Sequence, residues 1–108
     1  MSAAKQNWQN NMEETRVAFI PGGVRGIGRA IALELARRGW AIAACYRESE
    51  AEAAALQSEL RTFSRPALVV PADVADPAIA QELVKQVESD FGHIDALINC
   101  VGAYHRVP

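Results

Sequence analysis

A glycine-rich turn, two arginines and three short segments at strand ends are the residues of this chain with chemistry to offer. The turn reads Pro21-Gly22-Gly23-Val24-Arg25-Gly26-Ile27-Gly28; an apolar run precedes it, and Ile27, Ile31 and Leu35 recur every fourth residue after it. Strand, glycine turn and helix in that order bring bare N–H groups and the positive end of a helix to one point, which suits an anion. Three of the glycines have separate tasks: Gly22 gives a tight exit from the strand, Gly26 lets a pyrophosphate approach closely, and Gly28 lets helix pack on strand. The spacing is G-x-x-x-G-x-G, so the G-x-G-x-x-G fingerprint fits in no register. An ordinary glycine-rich loop is the competing reading.

The other candidates are Tyr46-Arg47-Glu48, Asp73-Val74 and Asn99-Cys100-Val101-Gly102. In a dinucleotide site a carboxylate bonds the ribose hydroxyls, whereas an arginine receives a 2′-phosphate, so Glu48 and Arg47 are rival readers. Solvated loop charges are the alternative for both. Asp73 either caps a turn or serves a ligand; Asp76, just before Pro77, is the better helix cap and leaves Asp73 free. Cys45 and Cys100 lie in separate apolar contexts and read as reduced, buried thiols rather than a disulfide framework. With His93 and His105 they offer no metal-ligand spacing, so no metal is expected.

These residues need a scaffold, and the apolar runs supply one. Val17–Ile20, Ala41–Tyr46, Ala67–Val70 and Ala96–Asn99 read as four strands. Between them lie three helices. Ile27, Ile31 and Leu35 form the stripe of the first, with Arg29, Arg37 and Arg38 facing solvent, and Gly39 stops it. Ser49-Glu50-Ala51-Glu52 is a capping box opening the second, whose stripe is Ala53, Leu56, Leu60 and Phe63. The third starts at Asp76-Pro77, turns Ile79, Leu83, Val87 and Phe91 inward and ends at Gly92. This alternation predicts an α/β fold, a Rossmann-type doubly wound parallel sheet in the order β-α-β-α-β-α-β, incomplete as it stands. Every candidate lies at the carboxyl end of a strand, where ligands bind in such sheets.

The 108 residues allow one domain, with half of them apolar and 22% charged. A net charge of −2 gives nucleic acid no electrostatic footing. No apolar run approaches the roughly 20 residues that span a bilayer. Met1–Thr15 is polar and lacks the apolar core of a secretory signal; it is expected to be a flexible leader with Trp8 loosely docked, and 16–108 the nucleotide-binding domain.

The segment from Pro21 to Ala32 closely resembles the Thr-Gly-x-x-x-Gly-x-Gly cofactor loop of the short-chain dehydrogenases/reductases, above all their 3-oxoacyl-(acyl-carrier-protein) reductases, with Pro21 in place of the usual Thr. The resemblance runs from Arg16 to Gly102. It implies that Gly22, Gly23, Arg25, Gly26, Ile27 and Gly28 meet the dinucleotide. Tyr46 stands where NAD-dependent members often carry Asp, and Arg25 and Arg47 match basic positions of NADP-dependent ones, so NADP is the implied cofactor, with NAD the less favoured. Asp73 and Val74 resemble the adenine-binding step. Asn99, Val101 and Gly102 resemble the Asn-Asn-Ala-Gly segment, in which Asn99 braces the sheet and Gly102 passes the ribose. The family's catalytic Ser and Tyr-x-x-x-Lys have no counterpart here, since Glu50 stands four residues after Tyr46 and Pro108 four after Tyr104. The resemblance therefore implies the cofactor half of a cytoplasmic, homo-oligomeric reductase of small carbonyl or acyl-thioester substrates, with no catalytic residue in this chain. A non-catalytic nucleotide-binding or assembly module completed by a partner chain is the alternative.

Overall fold

A computed structural model of the chain describes residues 14–101. The expected leader falls almost wholly outside them, Trp8 included, as do Gly102, Tyr104 and His105. Four strands form one parallel sheet: β1 (Val17–Pro21), β2 (Ala41–Tyr46), β3 (Ala67–Pro71) and β4 (Ala96–Leu97). The helices are α1 (Gly26–Arg37), α2 (Glu50–Leu60) and α3 (Pro77–Phe91). Strand order is β3-β2-β1-β4. The chain thus builds outward from β1 to β3, then returns to the other side of β1, which puts the switch point between β1 and β4.

Strict side-chain alternation divides β1 and β2 between two cores. Ala18, Ile20, Ile42 and Ala44 face α1 and α2, meeting Ala32, Ala36, Ala53, Leu56 and Leu60. Val17, Phe19, Ala41, Ala43 and Cys45 face α3, meeting Leu83, Val87 and Phe91. Both strands are covered on both faces, and this is why they read as unbroken apolar runs.

The stripe of α1 differs from the expected one. Its buried residues are Gly28, Ala32 and Ala36, while Ile27 is 79% exposed and Ile31 and Leu35 only partly covered. A helix lying close on a sheet makes its nearest contacts with its smallest side chains, and a search for large apolar residues selects the flank instead. Ile79, expected inward on α3, is 38% exposed, whereas Leu83, Val87 and Phe91 are buried.

The helix ends follow local chemistry except at the starts of α1 and α2. Gly39 (φ 94°) closes α1 by donating to the Ala36 carbonyl while Trp40 N–H reaches Leu35, a Schellman pattern. Asp76 caps α3 through Ala78 N–H at 2.9 Å, and Gly92 (φ 90°) ends it. Ser49 stands at the N-cap of α2 but makes no side-chain cap bond, so the expected capping box does not form; its ψ of 61° departs from the extended backbone that aims a cap hydroxyl at the first turn. A bond from Arg29 to Glu59 joins α1 to α2, and Arg37 and Arg38 share Glu34.

Strand β4 is shorter than the expected Ala96–Asn99, yet its pairing continues: Ile98 N–H donates to Phe19 and Cys100 N–H to Pro21. Pro21 has no N–H to return, which shortens the ladder at its last rung. At the opposite end, Asp95 Oδ2 accepts from Val17 N–H (2.7 Å) and lies 2.9 Å from His93 Nε2, which also faces the Thr15 carbonyl at 2.9 Å. With acceptors on both sides, Nε2 is the protonated nitrogen of that ring.

Candidate functional site

The glycine turn is wedged between the ends of β2 and β4. Gly22 (φ 75°) donates to the Cys45 carbonyl at 2.9 Å, and Gly23 donates to Ile20 at 3.0 Å. A Cβ on Gly22 would fall 2.8 Å from the Cys100 carbonyl carbon and oxygen. A Cβ on Gly28 would fall 2.7 Å from the Gly22 carbonyl oxygen and 2.9 Å from Gly23 Cα. No side chain fits at either place without moving backbone, so these two glycines lock turn, helix and β4 together. Gly26 is of another kind. It also has positive φ (58°), but nothing lies within 4 Å of where its Cβ would be. Its space opens outward.

That opening lies at the start of α1. Arg25 occupies the N-cap with extended backbone and no side-chain cap bond, and the first turn holds no acidic residue. Arg25, Gly26 and Ile27 are exposed. The first-turn N–H groups have no intrahelical acceptor, and among the described residues no side chain replaces one. A bare, electropositive helix end beside an outward-opening glycine is an anion-binding construction.

The neighbouring strand ends bring charged groups to the same edge of the sheet. Tyr46 and Pro71 are register partners, and Ala72 N–H donates to the Tyr46 carbonyl at 2.8 Å, so the turns after β2 and β3 lie side by side. Arg47 is exposed, with its Nε 3.9 Å from Asp73 Oδ2. Asp73 is not free as expected. Its Oδ1 accepts from Ala75 N–H at 3.0 Å and its carbonyl accepts from Asp76 N–H, so it caps the turn and also faces Arg47. Tyr46 and Val74 are half-buried, Tyr46 against the α1–α2 core and Val74 against the α3 core. Glu48 is exposed and, among the described residues, its carboxylate has no partner.

On the far side of β1, Asn99 Oδ1 accepts from Val101 N–H at 3.0 Å, the backbone bond expected of it. Val101 is 47% exposed beside the turn. Gly22 and Gly28 therefore meet the β4 end directly and Arg47 meets Asp73, whereas no bond joins Arg25 to either of that pair among the described residues. The role of the Cys45 carbonyl in anchoring Gly22 was not foreseen; the one available signal is parallel register, which sets Cys45 beside Pro21.

Cys45 is buried, and desolvation pushes its thiol above the ordinary 9.0, with Gly22 N–H pulling the other way. It stays protonated and unreactive near neutrality. Cys100 is only partly buried, against the expectation for it, and packs below Gly28. Among the described residues no cluster of His, Cys, Asp and Glu could hold a metal ion, and no helix is long and apolar enough to cross a membrane.

Comparison with known proteins places this arrangement. Residues 16–108 match the family model described as short chain dehydrogenase. The 3-oxoacyl-(acyl-carrier-protein) reductase FabG of Staphylococcus aureus is 37% identical over 91 residues, which are 84% of this chain and 37% of the reductase. A short-chain dehydrogenase/reductase from Serratia marcescens superposes with a TM-score of 0.77 at 43% identity, over 82% of this chain and 36% of that one. A blue fluorescent protein from a metagenomic library, solved in complex with NADPH, gives 0.79 at 40% identity, over 86% and 38%. The chain spans little more than a third of the length of each of them.

Proposed function

This chain belongs to the short-chain dehydrogenase family, and from that premise we propose that it is the NADP-binding portion of a reductase acting on small carbonyl compounds, 3-oxoacyl thioesters being the favoured class. The observation that carries the proposal is the uncapped start of α1: exposed N–H groups, an outward-opening Gly26, and Arg25 in the position where most helices carry an oxygen-bearing cap. The residues fit a dinucleotide diphosphate, because Gly26 leaves open space beside the uncapped helix start while Gly22 and Gly28 hold turn and helix together. Arg47, at the neighbouring strand end with Tyr46 rather than a carboxylate before it, suits a 2′-phosphate. The name of the S. aureus relative supports the substrate class, and the NADPH held by the metagenomic protein supports the cofactor.

When bound, the cofactor supplies a hydride. This chain's own part is binding and orientation. The start of α1 takes the diphosphate, Arg47 with Arg25 takes the 2′-phosphate, Asp73 and Val74 flank the adenine, and Asn99 holds Val101 so that the chain passes beside the ribose. The acid that protonates a developing alkoxide belongs, by family resemblance, to a Tyr-x-x-x-Lys that this sequence does not contain. The 108 residues alone are expected to oxidise no NADPH with 3-oxoacyl thioesters, quinones or small ketones. A cytoplasmic, homo-oligomeric whole enzyme completes the proposal.

The test is cofactor binding. NADPH should bind more tightly than NADH, and Arg47→Ala should weaken NADPH by about 1.5–3 kcal/mol, the scale of a charged hydrogen bond, with NADH nearly unchanged. Equal losses would remove Arg47 as phosphate reader and promote Glu48 as ribose reader. A second reading draws on Leu97, which is 65% exposed on a strand paired on one side only among the described residues. A nucleotide-binding module covered there by a partner chain would bind NADPH and never consume it, even with all of its own sequence present.

A further inference from the structure

We propose that Asp73 is a specificity-determining positioning residue: its carboxylate, fixed by the turn it caps, holds the Arg47 guanidinium at the edge of the crevice, so that selection of a 2′-phosphorylated dinucleotide depends on the pair and not on Arg47 alone. This rests on the reading of Arg47 as phosphate partner.

The two halves of the pair are unequal. Asp73 is anchored: Oδ1 takes Ala75 N–H at 3.0 Å, the carbonyl takes Asp76 N–H at 3.1 Å, and Asp76 then caps α3 through Ala78 at 2.9 Å. Its Oδ2 is left to face Arg47 Nε at 3.9 Å. Arg47 has no comparable anchor. Its side chain is 72% exposed, and Asp73 is its one ion-pair partner among the described residues, although Glu48 is its neighbour in sequence. The register of β2 with β3 and the bond from Ala72 to Tyr46 fix the separation of the two turns, so the anchored carboxylate is set beside the exposed arginine.

The approach is through Nε at ion-pair rather than hydrogen-bond distance, so both terminal nitrogens, which carry four of the five N–H donors, are left for an oxyanion. An unanchored arginine loses several rotamers on meeting a phosphate, and a neighbouring carboxylate removes part of that loss in advance. A pair this exposed does little for stability. Its effect belongs to the comparison of two cofactors that differ by one phosphate.

Asp73→Asn keeps an oxygen for Ala75 N–H and deletes the charge; Asp73→Glu keeps the charge on a longer arm. NADPH and NADH are titrated calorimetrically into the chain and both variants, with and without Arg47→Ala, after circular dichroism has matched their helix content. Asp73→Asn should lower the ratio of NADPH to NADH affinity about twofold to fivefold, the range of exposed pairs. Asp73→Glu should restore part of it, and Asp73→Asn should leave the ratio unchanged once Arg47 is alanine. Equal weakening of both cofactors by Asp73→Asn would overturn the inference and confine Asp73 to the adenine or the turn. An unchanged ratio in Arg47→Ala alone would overturn the reading of Arg47 itself, and the inference with it.

Discussion

At the start of α3, Asp76 lends its carboxylate to Ala78 N–H and Pro77 fills the first helical position, where a missing N–H does no harm. At the start of α1, Arg25 stands in the corresponding place and lends nothing, and Gly26, a poor helix former, follows it. Both helices lie on the same sheet and begin at the same edge of it. One is built to be satisfied by its own chain. The other leaves donors bare, adds positive charge to an already positive end, and stays in place because Gly28, Ala32 and Ala36 fit closely against turn and sheet. The difference separates a structural helix start from a receptive one: where a chain gives up a cap worth about 1 kcal/mol, the donors it leaves bare are available to a ligand.

The contrast breaks most completely at the glycines of α1. Gly28→Val would drive a side chain into the Gly22 carbonyl, 2.7 Å from its Cβ, and into Gly23. Helix and turn must part, at about 3 kcal/mol, a large share of the 5–15 kcal/mol that holds an ordinary domain. The expected outcome is a melting temperature lowered by roughly 10–25 °C. Gly26→Val meets open space and only the cost of a positive φ. It should keep its helical circular dichroism and lose NADPH binding, because the new side chain takes the diphosphate's space. Retained affinity in the folded variant would show that the diphosphate does not approach this backbone.

A second substitution sharpens the contrast by making α1 resemble α3. Arg25→Asp places a capping oxygen on backbone that is already extended, so the helix should gain about 0.5–2 kcal/mol. The same carboxylate would occupy the donors and repel a phosphate, and NADPH affinity should fall at least about tenfold, one charge-assisted hydrogen bond. A higher melting temperature with unchanged affinity would separate the bare helix end from the function proposed for it.

Much of this was legible because it is local. Apolar runs located β1 and β2, and Gly39, Gly92 and Asp76 marked helix ends through chemistry confined to two or three residues. The strand-end position of Gly22, Arg47, Asp73 and Asn99 followed from alternation alone. What the sequence hid depends on approach distance and register. The spacing of large apolar residues points Ile27 at the core, but the contact is made by the smallest ones, Gly28, Ala32 and Ala36. Ser49 offered the right residues for a capping box on a backbone bent the wrong way. The pairing of Arg47 with Asp73 spans two turns that only the register of β2 with β3 sets side by side.

The smallest effect is expected at α3, and it completes the exchange. Asp76→Ala removes the oxygen that Ala78 N–H uses and leaves that donor to water, at about 1 kcal/mol, or roughly 4–8 °C in melting temperature for a domain of this size. Asp76→Asn keeps an oxygen of the same shape and gives up only the charge at a positive helix end, so it should cost no more than a few tenths of that. NADPH affinity should be unchanged in both, because the Asp76 carboxylate is engaged with Ala78 N–H and not with the start of α1. The two variants therefore divide cap from charge at α3 in the way that Arg25→Asp adds both at α1. If Asp76→Ala instead weakened NADPH as much as it lowered the melting temperature, the turn from Asp73 to Asp76 would be acting as one unit with the site. The start of α3 would then belong to the receptive edge of the sheet, and the division between the two helices would fall.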